Sequence, residues 1–147
     1  MRYWLKLSGT ADRPYDTGDW AARRAPWVRE HGEVSMFPLV PRIQAGDRLI
    51  DYAVGSHREF GEGRIFAVAE VLSDPEPSPH ERWPVQVRTR ILIGGPALGF
   101  CPTIADIGVS RRSLGRHSHI RLTREQGERA EELIAEAAEE FGSLTVG

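Results

Sequence analysis

The stretch GDRLIDYAVGSHREFGEGRIFAVAEVL, residues 46–72, carries the strongest structural signal in the chain. Gly46-Asp47 is typical of a tight turn, in which a short acidic side chain serves the local backbone. Arg48–Val54 alternates in a way that predicts a strand. Arg64–Leu72 is apolar on both faces apart from one glutamate, as expected of a central strand. The two segments together predict an antiparallel hairpin, with Gly55–Gly63 as its long turn.

Further strands are predicted on both sides of this hairpin. Arg2–Leu7 begins with aromatic and apolar residues and predicts a first strand. Val85–Ile93 alternates cleanly, which predicts a half-buried strand with an exposed basic face, and Ser118–Leu122 predicts a short last strand. By contrast, Val34–Ile43 contains two prolines, so at most a short turn of helix is expected there.

A helix with clear boundary signals is predicted near the end of the chain. Thr123-x-x-Gln126 has the pattern of a capping box, and Gly142 is a stop signal. A second, short helix is predicted at Asp19–Arg24. The expected fold class is α+β, a small curved sheet or barrel of five to six strands with flanking helices. The apolar stripe of the C-terminal helix comprises Ala130, Leu133, Ile134, Ala137, Ala138 and Phe141.

Length and composition indicate one domain, residues 1–147, with enough apolar residues for a core. No apolar run approaches the roughly 18 residues needed to span a bilayer, so a cytoplasmic protein without a membrane partner is predicted. We expect a monomer or weak dimer. The single cysteine, Cys101, excludes an internal disulfide and a cysteine-rich zinc site, and is expected to be a small buried hydrophobe.

Charge is distributed unevenly along the chain, whose net charge is −2. Residues 123–141 carry seven glutamates and two arginines, a charge of −5, so the rest of the chain carries +3. The segment SRRSLGRHSHIR, Ser110–Arg121, contains four arginines and two histidines but no acid. It predicts either a basic surface that meets phosphates, together with Arg88 and Arg90, or a solvated loop paired with the acidic helix.

Two of the four tryptophans lie in predicted loops. Trp4 and Trp20 fall on predicted regular elements and are expected in the core. Trp27 and Trp83 lie in segments rich in arginine and proline, where each is either a lid on the core or a stacking platform. Exposed aromatic rings mixed with basic residues are the usual footprint of single-strand or flipped-base binding.

Motifs for catalysis, metals and nucleotide cofactors give no comparable signal. Gly61-x-Gly63 precedes a strand, not a helix, which excludes a dinucleotide-binding fingerprint and indicates a hairpin turn. His117-x-His119 would need a third ligand to hold zinc, and solvent-facing or phosphate-facing histidines are the better interpretation. We therefore predict no metal and no cofactor, and a binding function in preference to an enzyme.

Six motifs in order resemble the EVE domain family, a branch of the PUA-like fold related to YTH domains. They cover nearly the whole chain: RYWLKLS, WVREHG, AGDRLIDYAV, GRIFAVAEVL, RWPVQVRTRI and SLGRHSHIRLTREQGERAEELI. The chain departs from the family pattern between the second and third motifs, where asparagines are missing and Pro38 and Pro41 are present.

The resemblance implies a bacterial module that binds DNA or RNA and takes a base, often a modified one, into an aromatic pocket. The implied pocket wall is Trp27 and Trp83, with Tyr52 nearby. Lys6 and Ser8 match positions that contact the nucleotide. The remaining implied residues are the pocket-edge pair Arg29 and His31 and the phosphate-binding set Arg111, Arg112 and Arg116.

Two alternatives remain open at this stage. The PUA-like fold is also similar to ASCH-type domains, which implies an enzyme acting on RNA or a small molecule, with Lys6, Glu70 and Tyr52 as the cluster to inspect. An acid and a lysine facing each other inside the pocket would favour this enzyme over an aromatic cage. The other alternative is a small-molecule or protein-interaction module whose pocket has filled with side chains.

Overall fold

The computed structural model describes residues 1–9, 28–29 and 32–143. Within these ranges one mixed, seven-stranded sheet curls into a half-barrel, and a long helix closes the fold. The predicted α+β class and small curved barrel are therefore confirmed. The strands are β1 (Tyr3–Ser8), β2 (Val34–Phe37), β3 (Arg48–Ala53), β4 (Ile65–Val71), β5 (Glu76–Pro77), β6 (Val85–Gly94) and β7 (His119–Leu122). The helices used below are α1 (Ser56–Phe60) and α2 (Arg124–Phe141).

The strand order along the sheet is β2-β6-β4-β3-β1-β7, and β5 adds to β6. The predicted hairpin is confirmed, since β3 and β4 pair antiparallel, and β4 is central between β3 and β6. β1 lies parallel to β3 and antiparallel to β7. The two outermost strands also meet through side chains, because the rings of Phe37 and His119 have centroids 5.2 Å apart. This contact shows how far the sheet curls.

The Gly46-Asp47 turn ties the hairpin to the first strand. Asp47 N–H donates to the Gln44 carbonyl at 3.1 Å, and the Asp47 carboxylate accepts from Gln44 N–H at 3.0 Å, which confirms its predicted local role. The carboxylate also accepts from Arg2 N–H and Trp4 Nε1, both at 3.0 Å. Burial alone would raise the pKa of Asp47, but these hydrogen bonds outweigh burial and lower the pKa.

The connection between β3 and β4 contains more structure than the predicted turn. Ser56–Phe60 forms α1, and the Ser56 hydroxyl donates to the Ala53 carbonyl at 2.7 Å and accepts from Arg64 N–H at 2.9 Å. These bonds close the loop locally, which a pattern of glycines and charges does not reveal. Gly63 packs under an aromatic ring, since a Cβ there would lie 2.3 Å from the Tyr52 hydroxyl oxygen.

The two faces of the sheet bury separate cores. The outer face packs against α2, whose capping box is confirmed in both directions between Thr123 and Gln126. Phe141, predicted to belong to the buried stripe, is instead half-exposed and stacks on Phe100. The outer core includes Tyr3, Leu5, Ile50, Tyr52, Val68, Ala130 and Ile134. The inner core includes Trp4, Phe37, Ile43, Leu49, Ala69, Val71 and Val87.

One predicted segment is wrong and another cannot be compared with the structure. Val34–Phe37 is a strand, not a helical turn, because both prolines of this segment come after its four paired residues. The predicted helix at Asp19–Arg24 lies outside the described residues. Cys101 is buried as expected, and burial raises its pKa to about 12. No helix within the described ranges is long and apolar enough to cross a membrane.

Candidate functional site

The alternation of β1 places a lysine inside the half-barrel. Tyr3 and Leu5 belong to the outer core, whereas Trp4 belongs to the inner core. Successive side chains of a strand point to opposite faces, so Lys6 and Ser8 lie on the inner face with Trp4. Ser8 is the last residue of β1, and Lys6 lies two residues before it.

Three ionisable side chains stand side by side on this face. Lys6 pairs with Asp51 of β3 on one side and with His119 of β7 on the other. We call His119, Lys6 and Asp51 the inner-face row. The same register continues to Ala67 of β4 and Gly94 of β6, which are both small residues. The row is therefore polar at one end and free of bulky side chains at the other.

Lys6 is a buried ammonium group with few partners among the residues that the structure describes. Its side chain is 8% exposed, and Nζ lies 4.7 Å from the centroid of the Phe37 ring. Among the described residues Nζ donates to one oxygen, the Leu7 carbonyl at 3.3 Å. Burial lowers the pKa of Lys6 to about 8, and the Asp51 carboxylate partly opposes this shift. An ammonium has three donors, so Lys6 can still bind an acceptor.

His119 forms an aromatic wall beside Lys6. Its ring meets Trp4 edge-on at 5.6 Å and Phe37 at 5.2 Å, and Nδ1 lies 2.8 Å from the Ser118 hydroxyl oxygen. Burial first, and then the charges of Lys6 and His117, lower its pKa, which favours a neutral imidazole at pH 7. His119 is thus half-buried on the inner face, whereas His117 is exposed. No group of three metal-binding side chains occurs in the described part of the chain.

The structure does not bring all the implied pocket residues together. Tyr52 is 3% exposed and packs in the outer core, on the face opposite to Lys6. Arg29 is exposed. Trp27 and His31 lie outside the described residues.

Trp83 lies in the loop that leads into β6. It is partly exposed, and the guanidinium of Arg82 sits 5.5 Å from its ring centroid. Two residues later Val85 pairs with Phe37, whose ring contacts Lys6 and His119. The Trp83 loop therefore leads into β6, the strand that pairs with Phe37, whereas the ring of Phe37 contacts Lys6 of β1 and His119 of β7.

The basic segment keeps its positive charge exposed. Arg111, Arg112 and Arg116 are all exposed, and the first two line a cleft of about 300 Å³ together with Glu62 and Val109. Within residues 1–9, 28–29 and 32–143, none of the three arginines forms an ion pair. The α2 glutamates that form ion pairs there contact Arg124 and Arg129 of the same helix and Arg48 of β3. Predicted pairing with the acidic helix is therefore not found in the described residues.

The other predicted basic residues are neutralised. Arg88 lies 3.6 Å from the Glu76 carboxylate, and Arg90 lies 2.6 Å from that of Glu70. Glu70 is thereby engaged on the exposed side of β6, away from Lys6. The cluster of Lys6, Glu70 and Tyr52 is not assembled, and Asp51 is the acid beside the lysine.

Sequence reasoning did not assign Asp51 or Phe37 to the site, and it considered His119 only as a solvent-facing or phosphate-facing histidine. Alternation gave one usable signal, because it places Asp51 on the same face as the buried Leu49. A carboxylate at such a position needs a partner or a ligand. The roles of His119 and Phe37 depend on how the sheet edges meet, which alternation alone does not reveal.

Comparison with known proteins identifies the fold. No protein-family model and no curated protein matches the sequence. Solved structures do match: a hypothetical protein from Leishmania major has a TM-score of 0.58 at 13% identity, covering 92% of this chain and 96% of that one. The YTH domain of Mmi1, solved in complex with RNA, has a TM-score of 0.57 at 12% identity, covering 95% and 80%. Rpa0253 from Rhodopseudomonas palustris has a TM-score of 0.54 at 16% identity, covering 92% and 94%. The chain therefore has a fold similar to the YTH domain, consistent with a PUA-like half-barrel.

Proposed function

We propose that this chain is a single EVE-like domain that binds nucleic acid and takes one base, standard or modified, against the inner face of the half-barrel. The observation that supports this most is the row of His119, Lys6 and Asp51 beside the Phe37 ring. It combines a hydrogen-bond donor, an acceptor and aromatic walls. An unstacked base is recognised through such groups, by hydrogen bonds at its edge and by stacking on its faces.

The partner class is supported by the structural neighbour that contains RNA. The YTH domain of Mmi1 is solved in complex with RNA, and it matches 95% of this chain. The exposed charge of Arg111, Arg112 and Arg116 supplies the phosphate contacts on which non-specific affinity depends. A net charge of −2 does not oppose such a role, because α2 carries the acidic excess.

The energetics of base capture are favourable without catalysis. Extracting a base from its stack costs a few kcal/mol. Stacking on an aromatic side chain recovers about 1–3 kcal/mol per base, and an added methyl group gains further from burial. Trp27 and Trp83 are the proposed stacking residues, with Lys6 and Ser8 at the base edge.

Trp83→Ala is expected to weaken binding of a single-stranded oligonucleotide by about 5- to 150-fold, because it removes one stacking ring. Fluorescence anisotropy with DNA and RNA decamers, with and without base modifications, measures the effect. Phe100→Ala is the control, since Phe100 is also exposed but stacks on Phe141 of α2. Equal affinity of the Trp83 variant and wild type would show that Trp83 does not contact the base. The same measurement on Trp27→Ala tests the other proposed stacking ring.

Arg112→Ala and Arg116→Ala are each expected to reduce the slope of log K against log salt by about 0.7, the value for one contact to a single-strand phosphate. The slope is measured by titration between 50 and 200 mM salt, as order-of-magnitude conditions for such contacts. Arg90→Ala is the matched control, because its guanidinium is already paired with Glu70. An unchanged slope in both arginine variants would contradict the phosphate role.

The paired acid and lysine favour a second candidate, an ASCH-like enzyme that cleaves RNA. Lys6 and His119 both have lowered pKa values, which suits proton transfer near neutral pH. A denaturing gel of the RNA decamers after incubation with protein distinguishes the two functions. Cleavage that Lys6→Met abolishes would establish the enzyme, whereas intact RNA in a bound complex supports the binding module.

A further inference from the structure

We infer that the inner-face row selects guanine among the four standard bases, an inference that rests on the proposed function. Lys6 and Asp51 stand next to each other on adjacent parallel strands and on the same face. The Lys6 ammonium offers only hydrogen-bond donors, and the ionised Asp51 carboxylate offers only acceptors. A base that satisfies both fully must present one acceptor to the ammonium and two adjacent donors to the two oxygens of the carboxylate.

The strand geometry fixes the spacing of this pair. Neighbouring strands lie about 4.8 Å apart, so in-register side chains on one face can meet adjacent atoms of a single ring edge. Beyond Asp51 the row continues with Ala67 and Gly94. These residues add no bulky side chain beside the carboxylate, where the exocyclic group of a base would lie.

Guanine matches the pair at every position of its Watson–Crick edge. Its O6 accepts from the Lys6 ammonium, and its N1–H and N2–H donate to the two oxygens of the Asp51 carboxylate. Adenine and cytosine also offer a ring nitrogen acceptor to the ammonium and an amino donor to the carboxylate, but each presents only one N–H there and leaves the second carboxylate oxygen unpaired. Uracil matches at O4 and N3–H, but its O2 faces a carboxylate oxygen and is repelled.

The charges of the row favour a base over a phosphate. Lys6 and Asp51 carry opposite charges, so the pair has no net charge to attract a phosphate group. Asp51 makes a further contact within the protein. A carboxylate has about four acceptor positions, so that contact leaves capacity for two donors from a base.

The test uses the full chain and single-stranded oligoadenylate decamers in which one central nucleotide is guanine, hypoxanthine, adenine, cytosine or uracil. Guanine is expected to bind about 10- to 100-fold more tightly than adenine, cytosine or uracil, as for one good bidentate contact. The affinity for the hypoxanthine decamer should lie between that for guanine and those for the other bases, because hypoxanthine lacks the exocyclic amine of guanine. Equal binding of all decamers would overturn the guanine inference and leave nucleic-acid binding intact. Absence of binding to every decamer at low salt would overturn both.

Asp51→Asn provides a second, independent test, because this substitution should shift the base preference from guanine towards uracil. The amide offers an oxygen acceptor and an N–H donor, a pattern that uracil matches with N3–H and O2. The variant is expected to lose the preference for guanine and gain affinity for the uracil decamer relative to wild type. A variant that is folded by circular dichroism and still prefers guanine would contradict the role of Asp51. If the variant does not fold, the wild-type panel alone decides.

Discussion

Gly127→Ala is expected to lower the free energy of unfolding by about 3 kcal/mol, although alanine is the better helix former. Gly127 is buried in α2, and a Cβ added there would lie 2.0 Å from Cγ of Tyr3. Helix propensity would favour the substitution by about 1 kcal/mol. Overpacking of a rigid core costs about 1–3 kcal/mol or more, and a 2.0 Å approach forces the helix and the ring apart. Chemical denaturation measures the difference.

Two companion variants separate the clash from propensity. Ala135→Gly on the exposed face of α2 reports propensity alone and should cost about 1 kcal/mol. Tyr3→Ala removes the ring, so Gly127→Ala should be far less harmful in that background, with a coupling energy of more than 1 kcal/mol. A Gly127→Ala protein as stable as wild type would show that α2 shifts freely on the sheet.

The fold was largely predictable because its main signals are local. The hairpin of β3 and β4 follows from two runs of alternating and apolar residues separated by glycines, and α2 follows from a capping box and a stripe. The strand β2 was missed because four residues next to prolines carry little pattern of their own. It forms because β6 offers it a partner, which is a tertiary effect. The need for glycine at Gly127 is equally non-local.

The site was predictable only in part, since it depends on which strands become neighbours. Alternation puts Lys6 and Ser8 on one face, but the parallel pairing of β1 with β3 joins segments about 45 residues apart. That pairing makes Asp51 the neighbour of Lys6. Tyr52 is the next residue along β3, so it faces the opposite side and fills the outer core. The prediction that Tyr52 lines the pocket is therefore off by one residue along β3, because the inner-face residue is its neighbour Asp51.

Lys6→Met is expected to stabilise the protein and to weaken its binding of nucleic acid. The pKa of Lys6 is about 8 in the folded chain against 10.5 for an ordinary lysine, which corresponds to a cost of about 3 kcal/mol for keeping the charge buried at pH 7. Methionine fills a similar space without that charge, so a gain of about 1–3 kcal/mol in unfolding free energy is expected. The lost charged hydrogen bond should weaken oligonucleotide binding by about 10- to 150-fold.

The pH dependence of stability tests whether desolvation is the cause. Between pH 8 and 10.5 the folded chain releases the Lys6 proton while the unfolded chain retains it, so wild-type stability rises with pH over this window. Lys6→Met lacks this group, and its advantage over wild type should therefore shrink from pH 7 to pH 10. Denaturation at both pH values measures the change. If the difference in unfolding free energy between the variant and wild type is the same at both pH values, the pKa of Lys6 is not lowered by folding. If the variant binds the oligonucleotide as tightly as wild type, Lys6 does not contact the nucleic acid. Greater stability with lost binding would identify Lys6 as a residue whose buried charge destabilises the fold and is needed for binding.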